Sequence, residues 1–373
     1  MDLQELRNEI NDIDSQLQEL FNKRMQISFK VAEYKIANNM PVFQSKRENE
    51  ILDHVTESSP KGLESASRVF FQNIMDISKC RQYQEFFADS DKIEYKKLDL
   101  TGHKKVAVPG TTGSYSHIAC KQIFSDFEPM FFEDFEDVFS SVENGSADFG
   151  ILPIANSTAG SVGQTYELMK KHDFKICAAT KVKISHCLAV KKGTRFEDIK
   201  IVYSHEQALS QCAQFLSSLP GVKVIPCENT ALAAKLVAES GRDDAAALST
   251  RACERLYGLE CLASSVQDTA NNYTRFICIA RDLEIYPGAD RTSLMMTLRH
   301  EPGSLYKVLS RFYALGINLN KLESRPLPER SFEFMFYFDL ENPVYDPAFL
   351  QLVSELGDIS EEYTYLGSYS EVI

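Results

Sequence analysis

The chain has 373 residues, of which 44% are hydrophobic and 25% are charged, and its formal net charge is −13. This length predicts two or three domains, each with a core of its own. Residues 1–90 carry 11 basic and 15 acidic side chains, and the rest of the chain is acidic as well. The charge therefore disfavours nucleic acid and anionic membranes as partners. If the protein binds a small anion, single cationic side chains in the site must bind it, because no region of the chain is basic as a whole.

Membrane insertion and disulfide formation are not expected either. The sequence contains no run of 18 apolar residues, and its first 20 residues are polar and acidic, which disfavours a transmembrane helix and a secretory signal. The nine cysteines include no CxxC pair. Reduced thiols in a cytoplasmic protein are therefore expected, rather than disulfides or structural zinc.

Residues 1–38 predict one long helix, because apolar side chains recur at spacings of three and four. This apolar seam comprises Leu3, Leu6, Ile10, Ile13, Leu17, Leu20, Ile27, Val31 and Tyr34. Pro41 ends the helix, a second helix begins near Ser45, and a third covers about 64–88. Three helices do not readily close a core, so we expect this all-α domain, residues 1–92, to pair with a second copy of itself.

A polar linker over residues 93–103 leads into a segment, 104–281, in which short β-branched runs alternate with helical patterns. This alternation predicts two α/β lobes with parallel sheets and helices on both faces. Ligands bind such folds at loops that follow the strands, and the candidate loops are 110–116 and 156–161. Residues 291–373 follow a β-α-β-β-α-β order, which predicts a ferredoxin-like domain.

Two cations interrupt the apolar side of the first helix. Arg24 fills a seam position, and Lys35, eleven residues later, returns to within about 20° of the same line along the helix. Arg7 lies about 100° away from that line and could reach a pocket on a neighbouring chain. A buried cation needs an anion. The anion is either a ligand or a carboxylate within the bundle, unless the side chain extends outward to solvent.

Polar side chains on the other two helices are further candidates. Ser78 and Gln82 continue the apolar side of the third helix at i, i+4 spacing, where their polar groups must be hydrogen-bonded. Glu48 follows Ser45 by three residues. A helix capping box is therefore the stronger interpretation of Glu48 when that residue is considered singly.

The N-terminal segment resembles the all-helical chorismate mutases. The resemblance spans residues 1–88 and lies in the spacing of Arg7, Arg24, Lys35, Arg47, Glu48, Ser78 and Gln82. It implies an intertwined dimer that rearranges chorismate to prephenate without covalent catalysis, by positioning and by stabilising charge on the ether oxygen. It also implies that Arg24 and the partner's Arg7 bind carboxylates. Lys35 and Gln82 would face the ether oxygen, and Glu48 would bind the ring hydroxyl.

Three more positions belong to this resemblance. It implies that Arg47 and Ser78 complete the wall of the site. Gln44 stands where this group often has an acidic residue. The resemblance implies that Gln44 contacts the substrate hydroxyl, but it would do so through an amide in place of a carboxylate.

Residues 104–281 resemble the prephenate dehydratases, which remove hydroxide and carbon dioxide from prephenate to give phenylpyruvate. The matching motifs are Gly113-Ser114-Tyr115-Ser116-His117, Pro153-Ile154-Ala155-Asn156-Ser157 through Gly160, and Asn272-Tyr273-Thr274-Arg275-Phe276. The resemblance implies a two-lobed fold like that of periplasmic binding proteins, with Thr274 as proton donor to the leaving oxygen. It further implies that loop hydroxyls and amides bind the substrate: those of Ser114, Tyr115, Ser116, Asn156, Ser157, Thr158 and Gly160.

Two features of this match leave alternatives open. Arg275 is either an anion clamp or a link between the lobes, and Phe276 completes the substrate-binding motif beside it. The family usually has Glu where this chain has Ala155, so turnover is reduced if that carboxylate orders the loop or transfers a proton. The alternative functions are therefore a weak or inactive dehydratase-like domain that senses a ligand, and a dehydratase that prefers arogenate.

The last domain resembles the ACT domain of these dehydratases. Gly303-Ser304-Leu305 opens its first helix, and Glu323-Ser324-Arg325-Pro326 follows its second strand. The resemblance implies that both motifs bind phenylalanine between two ACT domains and mediate feedback inhibition, and the alternative is dimerisation without a ligand. The chain is thus identified as a member of the bifunctional P-protein family. No metal or organic cofactor is implied, because neither reaction transfers electrons or needs a Lewis acid.

Overall fold

The computed structural model describes residues 2–86, 94–327, 333–343 and 346–372. Three helices form the N-terminal segment: α1 (Leu3–Ala37), α2 (Ser45–Ser58) and α3 (Glu64–Phe86). They agree with the predicted helices, although residues 87 and 88 of the third lie outside the described ranges. None of the helices in these ranges is long and apolar enough to span a membrane.

Much of the apolar seam of α1 is exposed. Leu3, Ile10 and Leu20 are 64%, 55% and 62% exposed, whereas the buried residues of α1 all lie between Ser28 and Lys35. A contiguous apolar surface of this kind is typical of an interface with a partner. Pairing with a second copy of the chain stays a prediction, and this exposed seam is the surface that it would cover.

The first lobe of the central domain follows a short strand, β1 (Lys96–Lys97). It comprises β2 (Lys104–Pro109), α4 (Tyr115–Ile123), β3 (Phe127–Phe132), α5 (Phe135–Glu143), β4 (Phe149–Asn156), β5 (Gly160–Ser161), α6 (Gly163–Leu168) and β6 (Lys175–Lys183). Loop glycines and polar caps separate several of these elements. Ser114, for example, is the N-cap of α4.

The second lobe continues with nine further elements. They are β7 (Cys187–Val190), β8 (Ile201–Ser204), α7 (Glu206–Gln211), α8 (Ala213–Ser217), β9 (Lys223–Pro226), α9 (Thr230–Glu239), β10 (Ala245–Ser249), α10 (Arg251–Tyr257) and β11 (Glu260–Ser264). The two short helices α7 and α8 are separated by Cys212. The chain then returns to the first lobe through β12 (Tyr273–Ala280), and β13 (Glu284–Ile285) pairs with β1.

The sheets of both lobes are mixed and not parallel as predicted. In the first lobe β2 is parallel to β3 and β4, but β12 is antiparallel to both β4 and β6. The cause is the route of the chain. β6 ends at Lys183, where the chain crosses to the second lobe, and β12 begins at Tyr273, directly opposite Lys183. A strand that re-enters a sheet at the edge where its neighbour left must run in the opposite direction.

The C-terminal domain has the predicted β-α-β-β-α-β order. Its elements are β14 (Arg291–Thr297), α11 (Ser304–Ala314), β15 (Asn318–Pro326), β16 (Phe334–Glu341), α12 (Pro347–Ile359) and β17 (Glu362–Tyr369). The antiparallel sheet has the order β15-β16-β14-β17, a ferredoxin-like topology. One face of the sheet packs on α11 and α12. Through the other face, Tyr337 and Tyr369 share a core with Tyr166 and Ile176 of the first lobe.

The last strand of the chain belongs to a different sheet from the rest of its domain. β18 (Glu371–Val372) pairs in parallel with β6 at the edge of the first lobe. The Thr180 hydroxyl donates to the Val372 carbonyl at 2.8 Å. The C-terminal domain is therefore attached to the first lobe by main-chain hydrogen bonds as well as by side-chain packing.

Gly367 allows this close approach. Its φ is +138°, and a Cβ at this position would lie 2.3 Å from the Ile176 carbonyl oxygen.

We expect Gly367→Ala to lower the midpoint of thermal unfolding by several degrees, since strain of about 1–3 kcal/mol shifts a domain of this size by that much. Calorimetry measures the shift. Gly357→Ala, on α12 with open space around it, is the matched control and should leave the midpoint unchanged or raise it. Equal midpoints for the two variants would contradict this account.

Candidate active sites

Arg24 joins α1 to α3. Its guanidinium donates to Ser78 Oγ and, over 3.2 Å, to the Ile74 carbonyl oxygen, and burial lowers its pKa. Within the described ranges no carboxylate forms an ion pair with Arg24, so the salt bridge considered from the sequence is not formed. A partly buried cation with neutral partners alone is suited to bind an anionic ligand.

Lys35 lies on the same side of α1 and is buried. Its Nζ donates to the Val42 carbonyl at 2.6 Å and to Gln82 Oε1 at 3.0 Å. An ammonium has three N–H donors, so one remains for a ligand. Burial lowers the pKa of Lys35, and the negative charges of Glu48 and Asp358 act in the opposite direction. The structure thus pairs each cation with one polar side chain of α3, Arg24 with Ser78 and Lys35 with Gln82.

Glu48 does not cap α2. The helix begins at Ser45, and Gln44 occupies the N-cap position without a side-chain capping bond, so the capping-box interpretation is wrong. The Glu48 carboxylate is instead 2.9 Å from Lys79 Nζ, which also lies 3.1 Å from Asp76. Sequence reasoning missed Lys79, because a lysine on an amphipathic helix ordinarily lies on the solvent face.

Arg7 and Arg47 lie apart from this cluster in the single chain. Arg7 is exposed near the start of α1, about 25 Å from Arg24 along the helix axis. Arg47 is exposed and lies 3.3 Å from Glu50. Arg47 therefore does not complete the wall of the site within one chain, because its position on α2 points it to solvent.

Asn156, at the end of β4, organises the junction between the two lobes. Its Oδ1 accepts from the backbone N–H groups of Thr158 at 3.0 Å and Ala159 at 2.8 Å. Its Nδ2 therefore points the other way, and it donates to Thr274 Oγ1 at 3.0 Å and Asn272 Oδ1 at 2.7 Å. Because the Thr274 oxygen accepts from Asn156, the Thr274 O–H is free to donate to a ligand.

Hydrogen bonds continue from Asn272 into the second lobe. Asn272 Nδ2 donates to Gln211 Oε1 at 3.0 Å, and the same oxygen is 3.3 Å from His186 Nε2. The other ring nitrogen of His186 is 3.3 Å from the Tyr115 hydroxyl. Burial lowers the pKa of His186, so the ring is neutral at pH 7. Gln211 and His186 were missed from the sequence, because no motif marks them and only the folded chain places them beside Asn272.

Some of the loop hydroxyls that are expected to bind substrate already form hydrogen bonds within the protein. Ser114 Oγ accepts from the His117 N–H at 3.3 Å. Ser157 Oγ accepts from the Tyr273 N–H at 2.9 Å and donates to a carbonyl at 3.1 Å. Ser116 on α4 is half-buried, and Thr158 and Gly160 are exposed. Ser157 is exposed as well, so Ser157, Thr158 and Gly160 are the most accessible of the expected loop ligands.

Phe276 and Arg275 do not line this junction. Phe276 is a core residue that packs with Val106 and Ile151, so its expected role in substrate binding is wrong. The register of β12 turns its side chain into the sheet's core. Arg275 forms an ion pair with Asp339 and donates to the Tyr369 hydroxyl at 3.3 Å. It is thus neither an anion clamp nor a link between the lobes, because its partners belong to the C-terminal domain.

Ala155 lies on the same side of the sheet as Arg275. The two residues are cross-strand partners, as are Asn156 and Thr274, and successive side chains of a strand point to opposite faces. Ala155 packs against the core shared with the C-terminal domain. A carboxylate at this position would point towards Arg275, so Ala155 does not remove a group from beside the Thr274 hydroxyl.

The first motif of the C-terminal domain faces the helical segment. Gly303 is the N-cap of α11, with φ of +87°. Gly303 and Ser304 line a cavity of about 570 Å³ whose other wall includes Glu48 and Lys79. Leu305 packs at the edge of the core beneath α11.

The second motif faces the first lobe. Glu323 accepts a hydrogen bond from the Ser161 hydroxyl at 2.5 Å and lies 3.0 Å from Arg325. Ser324 and Pro326 are exposed on the other side of β15. Within one chain the two motifs therefore do not form a single site.

Comparison with known proteins divides the chain in the same way. Residues 6–83 match the family described as chorismate mutase type II, and residues 106–284 match prephenate dehydratase. A bifunctional chorismate mutase/prephenate dehydratase of Aquifex aeolicus is 33% identical over 378 residues, which cover 100% of this chain and 99% of that protein. An arogenate dehydratase/prephenate dehydratase of Arabidopsis thaliana is 36% identical over 277 residues, 71% of this chain and 72% of its own length.

A solved structure supports the fold of the last two domains. The prephenate dehydratase of Arthrobacter aurescens, in complex with L-Phe, is 27% identical with a TM-score of 0.66, and the match covers 71% of this chain and 90% of that one. The match of the Aquifex protein extends over the whole chain and includes both enzymatic segments. The chain therefore belongs to the family of bifunctional chorismate mutase/prephenate dehydratases and carries both activities.

Proposed function

We propose that chorismate rearranges at the cluster formed by Arg24, Lys35, Ser78 and Gln82. Arg24 holds a substrate carboxylate, and the unused N–H of Lys35 donates to the ether oxygen. The reaction is intramolecular, so the protein contributes by positioning the substrate and by presenting preorganised charge. The observation that carries this proposal is that Arg24 is partly buried and that, among the described residues, its hydrogen-bond partners are all neutral.

The proposal for this site includes a second copy of the chain. The exposed seam from Leu3 to Leu20 provides the apolar surface for pairing. Arg7 lies on the same stretch of α1, so a partner helix that covers the seam carries the partner's Arg7 towards the cation cluster. This supports the expected homodimer and accounts for the distance of Arg7 from Arg24 within one chain.

Dehydration of prephenate takes place at Thr274, at the junction of the lobes. Thr274 donates the proton to the departing hydroxyl, while loss of carbon dioxide leaves the electron pair that completes the aromatic ring. Asn156 supports this role, since it fixes the Thr274 oxygen as an acceptor and leaves the O–H for the substrate. Ser116 and Thr158 supply accessible hydroxyls for the substrate carboxylates.

The C-terminal segment acts as an ACT domain that binds phenylalanine and inhibits the enzyme. Its ferredoxin-like topology supports this assignment, and the Arthrobacter relative is a complex with L-Phe. Gly303–Ser304 and Glu323–Pro326 line different sides of the domain in one chain. Pairing of two such domains brings the first motif of one copy to the second motif of the other.

A preference for arogenate is the second candidate for the dehydratase. The 36% identity to the Arabidopsis arogenate dehydratase/prephenate dehydratase is the observation that favours it. Competition between prephenate and arogenate at equal concentrations separates the two, because the ratio of products measures the ratio of kcat/KM.

Arg24→Ala is expected to lower mutase kcat/KM by about 100-fold or more, since truncating one partner of a buried, hydrogen-bonded charge pair costs about 2–5 kcal/mol. Chorismate consumption measures it. Lys23→Ala is the matched control, because Lys23 is exposed and paired with Glu19 on the neighbouring turn. Dehydratase activity of both variants should remain, as the sites lie in separate domains. An equal loss of both activities would contradict this assignment.

Thr274→Val, which preserves side-chain shape, is expected to lower dehydratase kcat by about 100-fold or more through loss of the proton donor. Formation of phenylpyruvate from added prephenate measures this step alone. The mutase activity of the same preparation is the control for folding. A variant that keeps the parental rate with prephenate would exclude Thr274 as the donor.

Saturating phenylalanine is expected to raise the unfolding midpoint by several degrees, because a ligand at 100 times its Kd stabilises the folded state by about 2.7 kcal/mol. Gly303→Ala should reduce this shift, since alanine is strained at the φ of +87°. Gly62→Ala is the matched control, with φ of +91° and equally open space in the turn before α3. The absence of any shift in the parent would rule out the regulatory role.

A further inference from the structure

The strand β15 turns three charged side chains towards the first lobe. Lys321, Glu323 and Arg325 form a charged stripe, because residues that alternate along a strand lie on one of its faces. All three are partly buried, whereas Leu322 and Ser324 between them are exposed. Glu323 and Arg325 lie 3.0 Å apart as an ion pair within the stripe. Charged groups that leave water need polar partners, so the charged stripe requires such partners on the first lobe.

Ser161 of β5 joins two members of the charged stripe. Its Oγ accepts a hydrogen bond from Lys321 Nζ at 2.9 Å and donates one to Glu323 Oε2 at 2.5 Å. Hydrogen bonds to charged groups are shorter and stronger than those between neutral groups. Lys321 and Arg325 also lie over the ring of Tyr166, with Nζ 5.2 Å and Cζ 5.6 Å from its centroid. The charged stripe therefore holds β5 and α6 from the side of the C-terminal domain.

Ser161 lies at the base of the hairpin formed by β4 and β5, whose loop is proposed to bind the substrate. Ala155 and Ser161 are cross-strand partners, and so are Asn156 and Gly160. Because cross-strand partners share a face and successive residues alternate between faces, Ser161 faces the C-terminal domain together with Ala155. Asn156 faces the junction of the lobes, where it donates to Thr274. The two faces of the hairpin are therefore held by different contacts, one within the central domain and one from the C-terminal domain.

We propose that Ser161 and Lys321 are positioning residues of the dehydratase, whose contact holds the loop 156–160 in the conformation that binds prephenate. The inference rests on the proposed dehydratase site, because it assumes that this loop binds the substrate. Neither residue touches the substrate, since Ser161 lies on the face of the hairpin opposite to Asn156. A loop whose base is already fixed loses less conformational freedom when its ligand binds. Loss of the contact should therefore weaken substrate binding and leave the proton transfer from Thr274 in place.

The test is the separate measurement of dehydratase KM and kcat in the full chain with added prephenate. Ser161→Ala removes both hydrogen bonds and should raise KM about tenfold while kcat changes less than about twofold. Lys321→Met keeps most of the aliphatic stem of the side chain and should raise KM to a similar extent. The double variant should have about the KM of Ser161→Ala alone, because both changes remove the same contact. Ser161→Thr keeps the hydroxyl and should restore the parental KM.

Two controls keep the outcomes distinct. Asn320→Ala alters an exposed residue next to Lys321 on β15 and should keep the parental KM. Mutase activity of the same preparations reports on folding. The inference is overturned if Ser161→Ala and Lys321→Met keep the parental KM, if their effects multiply in the double variant, or if kcat falls while KM stays constant. If Thr274→Val keeps the parental dehydratase rate, the proposed dehydratase site itself fails.

Discussion

The ion pair between Arg275 and Asp339 anchors the strand that carries the proposed dehydratase site. Arg275 is the residue next to Thr274, and its side chain is 13% exposed, whereas that of Asp339 is fully buried. Loss of one partner would leave an uncompensated buried charge, a destabilisation of about 3–5 kcal/mol. Because Thr274 and Arg275 point to opposite faces of β12, one strand positions the proposed proton donor and anchors the neighbouring domain.

The C-terminal domain occupies a central place between the two catalytic parts. Arg275 reaches it from the first lobe, and its own Arg311 reaches α3 of the helical segment. Each contact lies within a few residues of a proposed catalytic group, Thr274 in one case and Ser78 in the other. A ligand that shifts the conformation of this domain could therefore affect both proposed sites through these packed and charged contacts.

Sequence periodicity and motifs were sufficient for what depends on local spacing. The 100° step of a helix brought Arg24 and Lys35 to one side, and the element order gave the ferredoxin-like domain. The roles of Lys79 and Gln211 depend on which helix faces another domain, which a single amphipathic pattern does not specify. Phe276 belongs to a matching motif, yet its side chain packs in the core with Val106 and Ile151, and which face of a strand is covered by core is set by the rest of the fold.

The position of β18 relates the order of the strands along the chain to the order in which the sheet of the first lobe can form. The sheet of the first lobe has β3 at one edge and β18, which contains Val372, at the other. During synthesis the helical segment emerges before the first lobe, whereas the edge of β6 remains unpaired until β18 has been added. The dehydratase lobe therefore acquires its final edge only together with the complete C-terminal domain, so a shortened chain would leave an open strand available for pairing with other molecules.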